Sequence, residues 1–223
     1  MEQKINTLSR RISWNMDTNF LKIIAIITMT LDHVGKIIFP EIIILQIIGR
    51  VAFPVFAYCI VVGCLLTKDF KKYFLRLIIP AFIYQGVYIL TGYFIQESLQ
   101  YNVSVLNIFF TLALGALSVK LIEYKRWILL ILLIILGYFI NVDYGIYGIL
   151  LMPLFYILRN NIKLAIILIS VYLLWPYGIQ KYAFISIFPI FFKTNFNFKI
   201  NKYFFYMYYP AHFLIIFLIK ILL

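Results

Sequence analysis

Acidic residues are what this sequence lacks: 8 Asp and Glu stand against 20 Lys and Arg in 223 residues, and charged residues make up only 13% of the chain. With 65% hydrophobic residues and a mean hydropathy of +0.99, the chain has too little polar surface to cover a water-soluble globule. Cysteine is nearly absent as well. Cys59 and Cys64 lie five apart in one apolar run and point in different directions on a helix, which excludes a disulfide framework and leaves them as small buried hydrophobes. Histidine is limited to His33 and His212, so no metal-ligand spacing can be built, and no metal is expected. There is no long polar stretch for a soluble domain, no internal repeat, and no low-complexity tract beyond a general richness in Ile. The net charge of +12 would suggest nucleic acid in a soluble chain. In this composition it marks topology instead, and no nucleic-acid partner is expected.

What is present is a series of apolar runs. A helix needs about 20 apolar residues to cross ~30 Å of hydrocarbon, which predicts an all-α, polytopic membrane bundle of eight to ten crossings. Polar punctuation gives nine: 20–39, 42–66, 72–96, 103–119, 127–141, 144–158, 162–178, 180–193 and 203–223. The eighth is short and interrupted by Pro189. Residues 1–19 read as a cytoplasmic amphipathic arm, and 20–223 as a single transmembrane domain. Arg10-Arg11 raises the possibility of a twin-arginine export signal, but the run behind it contains Lys22, Asp32 and His33 and no small-residue cleavage site, so it reads as an uncleaved crossing. With the N-terminus inside, fifteen Lys and Arg fall in inner segments and three (Lys36, Lys181, Lys220) in outer ones, while Lys22 and Arg50 lie within helices. That asymmetry fits the positive-inside rule with the C-terminus outside. Abundant Ile, Lys, Asn, Phe and Tyr suit an AT-rich bacterial genome, hence a multi-pass protein of the bacterial cytoplasmic membrane.

Charges inside such a bundle need a reason, since one at the bilayer centre costs roughly 2.5–3.5 kcal/mol on insertion scales. The first two runs hold Asp32, His33, Gly35, Lys36, Gly49 and Arg50. At 1.5 Å per residue, His33 and Arg50 lie roughly 10–12 Å below the outer face, and His212 falls near the same level. Asp32 and His33 diverge by about 100° on a helix. Asp32 is therefore expected to meet Lys36 one turn on, or Arg50 across the helix pair. His33 suits a general base or proton shuttle, and Asp32, His33 and Arg50 are the first candidates for a catalytic centre. A purely structural ion pair joining the two helices is the alternative. Gly49 would let a backbone or ligand come close. Pro54 and Pro80 cannot donate to the carbonyls of Arg50 and Arg76, which predicts distorted turns at both arginines.

Tyr208 and Tyr209 precede His212 by four and three residues, on its face, so a phenol is expected to orient the imidazole. Asn107, Thr111 and Gly115 form a polar and small stripe that serves either helix packing or a substrate. Asp143-Tyr144-Gly145 opens the sixth run as a helix cap or as part of a site.

Leu21-Lys22 through Asp32-His33-Val-Gly35, Ile48-Gly49-Arg50-Val-Ala-Phe53-Pro54 and Lys72-Tyr73-Phe-Leu-Arg76 resemble the TraX family. So do Leu106-Asn107 through Gly115, Asp143-Tyr144-Gly145-Ile-Tyr147-Gly148 and Phe204 through His212, in collinear order over most of the chain. More distantly, a His late in the first apolar run resembles the acyltransferase type 3 family. Relatives usually carry Tyr-Asn-Gly before the last helix, where this chain reads Phe192-Lys193-Thr194-Asn195-Phe196. The resemblance implies an acetyl-CoA-dependent membrane acetyltransferase, with acetyl-CoA as co-substrate and a pilin-like peptide or other acceptor as partner. The distant resemblance to the acyltransferase type 3 family implies a catalytic role for His33 and, less directly, a CoA-recognising role for Arg50. Lys22, Lys72 and Arg76 are the candidates for holding the nucleotide, and Asn107, Asp143 and Tyr144 for the acceptor. A lipid-linked glycan is an equally available acceptor. Two other readings use the same charges: a transporter or flippase, and a non-catalytic assembly factor. The oligomeric state is not legible.

Overall fold

Asp17 starts the first helix by accepting a hydrogen bond from the Phe20 amide (3.2 Å), and α1 runs Thr18–Ile37. After a turn at Pro40 the chain enters α2 (Ile43–Gly49) and, past Arg50 and Val51, α3 (Ala52–Leu66). Between them the amides of Arg50 and Val51 bond three residues back, to Ile47 (3.2 Å) and Ile48 (3.2 Å), so the ladder tightens where Pro54 withholds a donor. The run expected as one crossing is therefore two helices with a break at the buried arginine. Then follow α4 (Phe70–Phe94), α5 (Ile108–Glu123), α6 (Trp127–Phe139), α7 (Gly145–Leu158) and α8 (Ile162–Leu174). A 3-10 stretch (Gly178–Ser186) leads into the single-turn α9 (Ile187–Phe191), and α10 (Lys202–Leu222) closes the chain. The computed structural model describes residues 14–94, 105–196 and 200–223. Arg10-Arg11 and most of the expected arm lie outside the described residues, as do the last residues of the third predicted run and the first of the fourth.

Among the described residues the fold is all-α, with one isolated bridge between Leu106 and Val142. Two helical stretches, Ile43–Leu66 and Phe70–Leu90, are long and apolar enough to cross a membrane by length and composition; Trp127–Phe139, Gly145–Leu158, Ile162–Leu174 and Met207–Leu222 are shorter apolar helices. Each expected run has a helical counterpart, but most are shorter than a full crossing, and the eighth is the irregular 3-10 segment.

α3, α5 and α7 form the centre. Tyr58, Val55, Ala113, Ala116, Leu151, Met152 and Phe155 are all buried there. Small residues set the spacing: a Cβ on Gly115 would run into the Met152 side chain, and one on Gly148 would lie 2.7 Å from Thr111 Cγ2. α6 buries only Leu133 and Gly137, and α8 only Ala165, Ile169 and Leu173 at four-residue spacing. Their other faces, like those of α4 and α10, show Leu, Ile and Phe to the exterior.

The chain ahead of α1 is built into this core. Trp14 packs on Tyr58 and Phe191, with centroids 5.7 and 4.6 Å away. Asn15, fully buried, donates to the carbonyls of Pro189 (3.0 Å) and Phe192 (2.8 Å), and Tyr58 donates to its carbonyl (2.7 Å). The Phe196 amide bonds Asp17 (2.8 Å). At the other end Asp143 and Leu106 pair through the backbone (2.8 Å), and Tyr172 donates to the Tyr147 carbonyl (2.6 Å).

Candidate active site

α1 and the α2/α3 break bring the expected charges together. Asp32 accepts from Lys36 through one oxygen (2.6 Å) and from Arg50 Nη2 through the other. The guanidinium also donates from Nε to the Gln46 carbonyl (3.2 Å) and from Nη1 to Gln180 Oε1 (3.1 Å). The tightened ladder at Arg50 leaves the Gln46 carbonyl open, and the guanidinium takes it. Gln180, at the head of the 3-10 stretch, was not among the sequence candidates; its signal is an amide opening an otherwise apolar run.

Gly49 makes the approach possible, since a Cβ there would run into Asp32 itself. The close approach expected at Gly49 is thus to the neighbouring helix. Gly49→Ala is expected to push α2 from α1, weaken the Asp32–Arg50 pair and destabilise the protein by about 1–3 kcal/mol, read as a lower thermal midpoint in detergent.

The two histidines meet. His33 Nδ1 lies 2.8 Å from His212 Nε2, although 179 positions separate them. Tyr209 and Phe213 present their edges to His33, with centroids 6.5 and 5.8 Å away and planes at 85° to it. Tyr208 lies parallel to His212 (5.3 Å, 5°), but its phenol pairs with Thr30 Oγ1 (2.9 Å). His212 Nδ1 turns to the Tyr208 backbone carbonyl (2.9 Å). The residue that orients His212 is the one expected; the atom is the carbonyl oxygen and not the phenol.

A cavity of about 640 Å³ runs past these groups. Thr18, Lys22, Gly63 and Tyr73 line one end, Asp32, His33 and Arg50 the middle, and Lys36, Asp143, Tyr144, Trp175 and Gln180 the other end. Lys22 Nζ sits over the Phe205 ring (5.2 Å) at the first end. At the other end Tyr144 takes a left-handed conformation (φ 59°), and its ring lies on Phe53 (4.1 Å, 14°). Asp143 accepts from the Tyr144 amide (3.0 Å), and its own carbonyl accepts from Thr111 (2.5 Å).

The remaining candidates lie off this cavity. Lys72 is exposed and pairs with Asp69 (3.4 Å), while Arg76 Nε donates to the Lys72 carbonyl (3.1 Å). The Lys72 amide and side chain hold the Asp69 carboxyl below its usual range. Asn107 is committed to structure: it caps α5 through the Phe109 amide (3.0 Å) and donates to Ala81 (2.7 Å) and Gln85 (2.9 Å). Cys59 and Cys64 are free and buried, and of the two Cys59 lines the cavity. Among the described residues no group of three metal-ligating side chains occurs.

Comparison with known families decides what this arrangement belongs to, for the TraX protein family matches residues 17–220. The chain belongs to the TraX family. That family is associated with pilin acetylation. The chain is 50% identical over 40 residues to an uncharacterised protein of Rickettsia prowazekii (strain Madrid E), a stretch covering 18% of this chain and 16% of that protein. No solved structure matches this TraX protein. The matched region takes in the Asp32–Arg50 pair, both histidines and all the residues that line the cavity.

Proposed function

We propose that this TraX protein is a multi-pass acetyltransferase of the bacterial cytoplasmic membrane, moving an acetyl group from acetyl-CoA to an amine or hydroxyl of a peptide, pilin-like or glycan acceptor. The observation that carries the reading is His33 on the wall of a cavity whose lining runs along α1 from Thr18 to Lys36. The apolar exterior of α4, α6, α8 and α10 supports a lipid environment, because such a surface would aggregate in water. Nine crossings with the N-terminus inside would put fifteen Lys and Arg on the inner side and three on the outer, which supports that orientation.

Acetyl-CoA is a substrate that would approach from the inner end, where Lys22 lines the cavity. Its pantetheine arm needs to span about half of the ~30 Å hydrocarbon thickness to bring the thioester to His33. There the acceptor N–H or O–H gives its proton to the His33 imidazole as its heteroatom bonds to the acetyl carbon. The C–S bond then breaks, and the proton passes on to the departing sulfur. Arg50, held on Asp32, Gln46 and Gln180, offers fixed positive charge toward the developing oxyanion. The acceptor enters from the end lined by Asp143, Tyr144 and Gln180.

Incubation of membranes containing the protein with acetyl-labelled CoA tests this. Label is expected in a membrane peptide or glycan and absent from membranes without the protein. Acetyl-CoA binding with no transfer would overturn the enzyme reading and favour the transport reading, which charged groups on the wall of a cavity also fit.

A further inference from the structure

The two imidazoles are not interchangeable, and the hydrogen bonds through them divide the roles. His212 Nδ1 lies 2.9 Å from the Tyr208 carbonyl, an atom that only accepts. Nδ1 therefore bears the proton, and Nε2 of a neutral His212 is a bare acceptor. His33 Nδ1, 2.8 Å from that nitrogen, must be the donor. This leaves the lone pair of neutral His33 on Nε2. Ring centroids 5.0 Å apart with planes within 9° are the arrangement of two rings side by side, which suits an in-plane N–H···N bond.

Exposure separates the two in the same sense. His33 lines the cavity, whereas His212 is 4% exposed and does not. Resting on the acetyl-transfer reading, we infer that His212 is a positioning residue, locked by the Tyr208 carbonyl, that fixes the Nδ1–H tautomer of His33 and leaves His33 Nε2 as the nitrogen that accepts the substrate proton. When Nε2 takes that proton, the imidazolium keeps its Nδ1–H bond to His212, so no reorientation accompanies the step. The proton leaves again from Nε2 to the sulfur of CoA, and His33 returns to its starting tautomer.

Space filling by His212 predicts something different, and side-chain reach separates the cases. The amide oxygen of Gln at 212 reaches the place of Nε2, so it accepts from His33; Asn reaches only the place of Nδ1. His212→Gln is expected to keep transfer from labelled acetyl-CoA to membrane acceptors within about tenfold. His212→Asn and His212→Ala are expected to lose roughly 10²-fold in kcat with KM for acetyl-CoA unchanged, the lower end of what a general base contributes. Equal activity in the Gln and Asn variants, or a loss confined to KM, would overturn the assignment. The chain holds only two histidines, so ¹⁵N-His labelling of the wild-type protein gives a direct readout. Both rings are expected as Nδ1–H tautomers, and a His33 protonated on Nε2 alone would overturn the inference even if no variant folds. If His33→Gln still transfers acetyl groups, the base role of His33 fails and this assignment with it; if the wild-type protein binds acetyl-CoA without transfer, the acetyl-transfer reading is what fails.

Discussion

His33→Ala is expected to lower acetyl transfer by about 10²–10⁴-fold, the contribution of a positioned general acid–base group. The loss should appear in kcat, measured as initial rates with labelled acetyl-CoA, because no other imidazole lines the cavity. Acetyl-CoA binding should persist, since Lys22 lies at the far end of the same cavity. Folding should persist too. The substitution leaves His212 Nε2 without its donor, and an unsatisfied buried polar atom costs only about 1–3 kcal/mol. His33→Gln should be as inactive as Ala, since an amide is not a base near neutral pH. Transfer at wild-type rates in either variant would remove His33 from the chemistry.

Much of this centre was readable before any coordinates, for a physical reason. Charged groups in an apolar run must find one another, so Asp32, Lys36 and Arg50 could be paired on helical spacing alone. The break at Arg50 followed from Pro54. The shared depth of the two histidines was also readable, but their contact was not. It needs α10 to lie against α1, and that placement comes from a small cluster of Ile37, Tyr84, Phe213 and Ile216 contributed by three helices. No periodicity in one segment encodes a packing of three. The same gap explains Lys72 and Arg76: α4 is apolar on nearly every side, so its rotation could not be set from sequence, and both basic groups turn away from the cavity. Gln180 was missed because its 3-10 segment lacks the 3.6 period that would have assigned it a face. Asn107 was readable as a polar group on α5, yet its side chain is consumed by Phe109, Ala81 and Gln85.

The largest stability effect is expected at the ion pair, and it should be asymmetric. In Arg50→Ala, Asp32 keeps Lys36 at 2.6 Å, so the carboxylate stays compensated. In Asp32→Ala, Arg50 keeps hydrogen bonds only to the uncharged oxygens of Gln46 and Gln180, and its buried positive charge loses the carboxylate paired with it. Removing one partner of a buried pair costs about 3–5 kcal/mol, because the remaining charge is left uncompensated. Asp32→Ala should reach that range, and Arg50→Ala should fall well below it. Replacing both residues by apolar ones of similar size, Asp32→Leu with Arg50→Met, removes both charges together and should recover most of the thermal midpoint. Transfer should stay lost in the double variant if Arg50 faces the oxyanion, and should return with stability if the pair only joins the helices. Thermal unfolding in detergent, run beside the labelled-acetyl assay on the same preparations, reads both quantities. Equal destabilisation by the two single substitutions would contradict the role given to Lys36 as the second partner of Asp32.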